Sequence, residues 1–186
     1  MKFLSTFFLL VIVSASQTAL AARPTYNFLG LGYIRQDLHA GNDCVQDGLY
    51  LEGSLAMDEH FFVAARHVDV TSDEWHCGST TTRISGGFKA DVGRASSFYS
   101  FATGMIHDSG NDTDPGLGME MGLRSFWQRG LESQFFIGYE VVDDFDESYI
   151  GAGLNYWFAR HWSLNAQATF TNEDTTGLSL GIRFNM

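Results

Sequence analysis

The sequence predicts an all-β chain, an antiparallel up-and-down barrel of ten strands that closes on itself to span a membrane. Three observations carry that reading. Apolar and polar residues alternate with a period of two in one segment after another, which is the periodicity of a strand. The polar face of these segments holds Ser, Asn, Gln, Thr and Gly, whereas a face in water would normally be charged. Short turns alternate along the chain with longer Asp- and Gly-rich connections.

The N-terminus reads as a secretory signal. Lys2 precedes the apolar run Phe3 to Ser14, and Ala19-Leu20-Ala21 supplies small residues two apart. Residues 1–21 are therefore expected to be a signal peptide and 22–186 a single barrel domain. The run is short for a helical span, and no other segment approaches the apolar length a span needs. A net charge of −11 argues against nucleic acid as a partner. Aromatic residues make up 15% of the chain, with 20 Gly and only 2 Pro, a composition suited to many strands around a crowded interior. Lys2 and Lys89 are the only lysines, far fewer than a water-facing surface of this size normally shows.

The elements follow in order. Tyr26 to Arg35 sets Leu29, Leu31 and Tyr33 against Gly30, Gly32 and Ile34, and a loop runs from Gln36 to Asp47. Leu49 to Met57 is the second strand; Asp58-Glu59 turns tightly into the third, Phe61 to Asp69. A loop from Val70 to Thr80 leads to the fourth, Thr81 to Ala90, with Ile84 and Phe88 against Arg83, Ser85, Gly87 and Lys89. The fifth, Ser97 to Ile106, is expected to present Tyr99, Phe101 and Met105 on its lipid face. His107 to Gly116 forms a loop, Leu117 to Phe126 the sixth strand, and Trp127 to Glu132 a turn. Gln134 to Val142 and Tyr149 to Trp157 are the seventh and eighth strands, with a loop from Asp143 to Ser148 between them. A hairpin from His161 to Phe184 closes the series around Asn172-Glu173-Asp174.

A sheet in lipid must close, because lipid cannot hydrogen-bond an open edge. Its outside must be apolar, and the inside of a barrel this narrow should be filled by side chains. An even strand number puts both termini on one side, expected to be periplasmic, with the acidic connections outside the cell. Asp37, Asp43, Asp47, Asp73, Glu74, Asp108, Asp112, Asp114, Asp143, Asp144, Asp146, Glu147, Glu173 and Asp174 fall at that outer end. Arg94, Arg129 and Arg160 fall in the short turns, where Trp127, Trp157, Phe158 and Trp162 are expected to form an interfacial aromatic girdle. The rival fold, a soluble lipocalin-like barrel with its apolar face inward, would put a nearly Lys-free face in water.

The signal peptide, the dyad strands and the closing GLSLGIRF together resemble small bacterial outer-membrane β-barrel proteins of the OmpX and OmpA-transmembrane type. The resemblance covers the mature chain as a pattern. It implies an outer-membrane location, with lipid, lipopolysaccharide, the outer-membrane insertion machinery and host or environmental surface ligands as partners, and no cofactor. Family members commonly have eight strands and end on an aromatic residue. Here ten are counted, with eight as the alternative, and Asn185-Met186 follows Phe184.

Four candidate chemistries remain. Glu52, Arg66, Arg83, Lys89, Glu120, Arg124, Glu140 and Arg183 point inward, either as a salt-bridged plug or as the lining of a narrow pore with weak anion preference. Cys44 and Cys77, an even pair in an exported chain, are expected to form a disulfide between the first two outer loops. Asp108, Asp112 and Asp114 alternate oxygen ligands as calcium loops do, without the spacing or closing Glu of an EF-hand; a solvated acidic loop is the plainer reading. His161-Trp162-Ser163 invites comparison with lipid A deacylase barrels, and His67-Val68-Asp69, His107-Asp108 and Asp143-Asp144 with omptin-like proteases. The first lies at the short-turn end and the others are pairs that acidic loops make by chance, so no catalytic residue is assigned.

Overall fold

A computed structural model describes residues 24–38, 44–72, 77–110, 112–128, 130–143 and 145–186. The signal peptide expected over 1–21, and the residues Asp43, Asp73, Glu74, Arg129 and Asp144 named above, lie outside the described residues. Ten strands follow one another: β1 (Phe28–Leu38), β2 (Cys44–Ala56), β3 (Phe61–Thr71), β4 (Gly78–Asp91), β5 (Ser96–Asp108), β6 (Thr113–Gln128), β7 (Leu131–Val142), β8 (Phe145–Trp157), β9 (Trp162–Thr171) and β10 (Thr176–Asn185). Each pairs antiparallel with the next, and β1 pairs with β10 to close the barrel. The count is ten, not the eight held as the alternative.

Register explains why the wall has two chemistries. Leu31 pairs with Ile182 on one side and Leu51 on the other, so one outward row runs across the seam. The same parity continues through Val63, Ile84, Met119, Ile137, Ile150, Leu164 and Leu180, all exposed. Each Leu or Ile on such a face gains roughly 1.5–3 kcal/mol by leaving water. Summed around the wall that is tens of kcal/mol, which favours a lipid surround over an aqueous one. Residues of opposite parity turn inward: Ser54, Ser85, Thr103, Asn155, Asn165 and Ser179 are buried there.

Two expectations about faces are overturned. In β5 it is Tyr99, Phe101 and Met105 that turn inward, with Tyr99 only 2% exposed, while Phe98, Ala102, Gly104 and Ile106 face out. Both faces of β5 hold apolar side chains, so its own alternation leaves the parity open and its neighbours decide it. Tyr99 settles over Gly122 of β6, which it overlaps too closely for any Cβ at that position. Trp157 does not join the girdle. It shares parity with inward Asn155, its indole N–H is buried, and its ring packs on Phe126 at 6.2 Å. Trp127, Phe158 and Trp162 are exposed at the short-turn end.

The acidic connections are shorter than expected because the strands continue into them. β6 begins at Thr113 and β8 at Phe145, so the links after β5 and β7 span 109–112 and 143–144. Ladder hydrogen bonds continue beyond the apolar belt, where charged side chains can be hydrated.

Candidate functional site

The inward faces build a polar interior in layers. At the short-turn end, Pro24 to Asn27 precede β1 and fold across the lumen. The Tyr26 ring is 5% exposed and lies 4.8 Å from that of Phe62, and Tyr99 and Phe136 complete the cluster. Arg124 stacks its guanidinium 4.7 Å from the Tyr26 ring centroid, donates to the Thr25 carbonyl at 2.8 Å and to Glu132 Oε1 at 2.6 Å. The Tyr26 hydroxyl is 3.2 Å from Ser97 Oγ, and Lys89 Nζ sits 5.2 Å from its ring. Asn27 holds the segment in place: its side-chain oxygen accepts the Ala56 N–H at 2.6 Å and its carbonyl accepts the Met186 N–H at 3.0 Å.

Above this floor, two contacts reach across β1, the strand at the seam. Arg183 of β10 donates to Glu52 of β2 at 2.7 Å and to Asn155 at 3.2 Å. The Tyr50 hydroxyl of β2 donates to Asn165 of β9 at 3.0 Å. The Tyr50 ring lies over Gly32 and Gly181, and Tyr149 lies over Gly138, each too close for a side chain beneath it. Small residues on one strand thus seat large rings from others, as a narrow barrel requires. Glu120 accepts from Tyr99 at 2.6 Å and Tyr149 at 3.1 Å, and Tyr99 in turn accepts from Gln134 at 2.6 Å. Nearer the long-loop end, Arg83 clasps Glu140 through two bonds of 3.2 and 2.9 Å. The mouth carries Asp114, Asp143, Glu147 and Glu173 beside His107.

The eight charged residues expected inside therefore divide. Glu52–Arg183 and Arg83–Glu140 are ion pairs, and Arg124 pairs with Glu132, which the sequence reading placed in a turn. Extending the even-numbered inward face of β7 back from Gln134 reaches Glu132, 1% exposed. Arg66 packs its guanidinium 4.7 Å from the Tyr50 ring, and Glu120 is held by phenols; neither has an ion-pair partner among the described residues. Counting Glu132 and the acidic mouth removes the small positive excess behind the anion-preferring version of the pore.

A continuous cavity of about 780 Å3 extends from the acidic mouth past Arg83, Tyr149 and Glu120 down to Tyr26, Phe28, Ser54 and Arg124. Ser97, Glu132, Ser163 and Asn185 lie deeply buried and outside its lining. The transverse networks thus narrow the lumen, and the N-terminal segment forms its floor.

The other candidates are scattered. Cys44 and Cys77 are bonded, with Cα atoms 6.4 Å apart, tying the start of β2 to the approach to β4 at the mouth. Asp108 is exposed and caps the Gly110 N–H at 2.8 Å, the Asp112 carbonyl accepts from Ser109, and Asp114 turns into the lumen. Among the described residues no group of three or more His, Cys, Asp or Glu is placed to hold a metal ion. His161 donates to the Asn185 carbonyl at 2.9 Å, whereas buried Ser163 accepts from the Asn185 side chain at 3.2 Å, so the two do not meet. His67 and Asp69 face outward and bond to Thr82 and Thr80, while His107 faces inward and bonds to Thr81. Outside the spanning strands, the backbone N–H groups of His60 and Phe61 hold the Asp58 carboxyl below the usual carboxylate range.

No family model and no curated protein matches the chain. Among solved structures it is similar to an outer-membrane channel from Pseudomonas putida F1, with a TM-score of 0.54 at 10% identity over 91% of this chain and 100% of that one. It is similar also to the KdgM porin in complex with disordered oligogalacturonate, with a TM-score of 0.51 at 9% identity over 86% of this chain and 99% of that one. At such identities the likeness establishes the fold, and the chain has the closed antiparallel barrel fold of outer-membrane proteins.

Proposed function

We propose that the chain is an integral bacterial outer-membrane protein with a structural or surface-interaction role: envelope integrity, adhesion or contact with host or environment. Both termini are on the periplasmic side, and the acidic, disulfide-tied end faces outward toward lipopolysaccharide and surface ligands. The single observation that carries this reading is the floor: among the described residues, the cavity of an apolar-walled barrel ends on Tyr26 and Arg124, which supports a role for its outer face. The ten-strand count departs from the commonest OmpX- and OmpA-type barrels, so the reading rests on the wall and floor, and no catalytic role is assigned. In planar bilayers the folded wild-type protein is expected to show no discrete conductance steps. Steady unit steps from the wild type would overturn the closed lumen.

A second reading, a narrow solute pore, is favoured by the depth of the cavity and by fold likeness to a porin and a channel. An acidic mouth opposes entry of an anionic sugar chain such as the one in the KdgM complex. On this reading the solutes are small and neutral or cationic.

A further inference from the structure

We propose that Thr25 and Tyr26 form a latch on an otherwise continuous path, and that releasing it opens the barrel to small cations. This rests on the reading of the lumen as closed at the short-turn end. Three observations support it.

First, the cavity is uninterrupted from Glu147 and Asp114 at the mouth to the Tyr26 ring. The pairs that cross the lumen higher up, Arg83–Glu140 and Glu52–Arg183, line it without dividing it. The cavity ends there on Tyr26 of the N-terminal segment, beside the buried Arg124–Glu132 pair.

Second, that segment is attached differently from the wall. The strands are held by ladders on both sides. Tyr26 is held by its packing on Phe62, its hydroxyl contact with Ser97 and the cations of Arg124 and Lys89 over its ring. Thr25 is held by a carbonyl bond from Arg124 and a local bond from the Asn27 N–H to its hydroxyl, and the segment is anchored at Asn27. Losing these side-chain contacts removes no ladder hydrogen bond, so the wall stays intact. Arg124 keeps its partner Glu132 whether or not Tyr26 is in place.

Third, the mouth of the path is acidic. Asp114, Asp143, Glu147 and Glu173 gather there beside His107, and lower down one base, Arg66, and one acid, Glu120, line the path outside the ion pairs. A rim of carboxylates in a narrow, low-dielectric mouth concentrates cations and excludes anions.

The test is conductance of the full chain in planar bilayers under a salt gradient, with folding checked by compact migration of the unheated protein in detergent gels. Wild type and Tyr26→Phe, which keeps the ring, are expected to stay silent. Tyr26→Ala is expected to give resolvable steps whose reversal potential has the cation sign, and adding Glu147→Gln and Glu173→Gln to it is expected to reduce that preference. Tyr26→Val, which keeps an apolar group against Phe62, reads the same barrier where the alanine variant does not fold. A folded but silent Tyr26→Ala or Tyr26→Val overturns the latch while leaving the closed-lumen reading in place. Anion-selective steps overturn the role given to the mouth. Steps from wild type overturn the closed lumen itself.

Discussion

The two ends of the lumen are built on opposite principles. At the short-turn end, charged groups are desolvated and matched: Arg124 and Glu132 are 5% and 1% exposed and 2.6 Å apart, under a roof of Tyr26, Phe62, Tyr99 and Phe136. At the long-loop end, Asp114, Asp143, Glu147 and Glu173 share hydrated space with few cations, and a covalent bond between Cys44 and Cys77 adds a tie at the rim. One strand periodicity serves both. The floor tolerates charge through pairing and the mouth through water, so similar substitutions should differ greatly in cost between the two ends.

The largest effect is expected at the floor. Glu132→Ala leaves Arg124 buried beside Tyr26 without its carboxylate, and should lower unfolding free energy by about 3–5 kcal/mol. Urea titration in detergent measures this, and a loss no larger than that of a surface substitution would show that water already solvates the floor. Next comes the double change Cys44→Ser and Cys77→Ser. Opening the link between positions 33 residues apart should cost about 2–4 kcal/mol, and protease should then cut at the mouth while the wall stays resistant. Smallest is Glu173→Gln at the rim, expected to change stability by less than about 0.5 kcal/mol. A rim effect as large as the Glu132→Ala effect would erase the contrast between the ends.

Much of the wall was legible because the dyad period acts locally. Strand number, the outward rows of β1, β2 and β10, and the inward side of Glu52, Arg83 and Glu140 follow from alternation within single segments. The errors lie where two local signals compete or where none exists. Tyr99 and Phe101 lost their assigned face because β5 is apolar on both sides and its parity is set by glycines on neighbouring strands. Trp157 looked interfacial by type, yet the phase of β8 turns it inward. Glu132 was concealed by a turn assigned too generously, which in the structure narrows to the residues between β6 and β7. The floor had no local signal. Tyr26 meets Ser97 71 residues away, and only closure of the barrel brings Thr25 to Arg124.

The contacts across the seam bear on assembly. Arg183 and Glu52 are separated by 131 positions, and Tyr50 and Asn165 by 115. Neither bond can form until the last strand meets the first, because β1 lies between the strands that carry the partners. A sheet not yet closed leaves the Arg183 guanidinium on the free β10 edge without its Glu52 partner, and settling that edge into hydrocarbon is costly. Contacts so distant in sequence also make ring closure a late and slow event. Closure of the seam and completion of this part of the buried polar network are therefore one event.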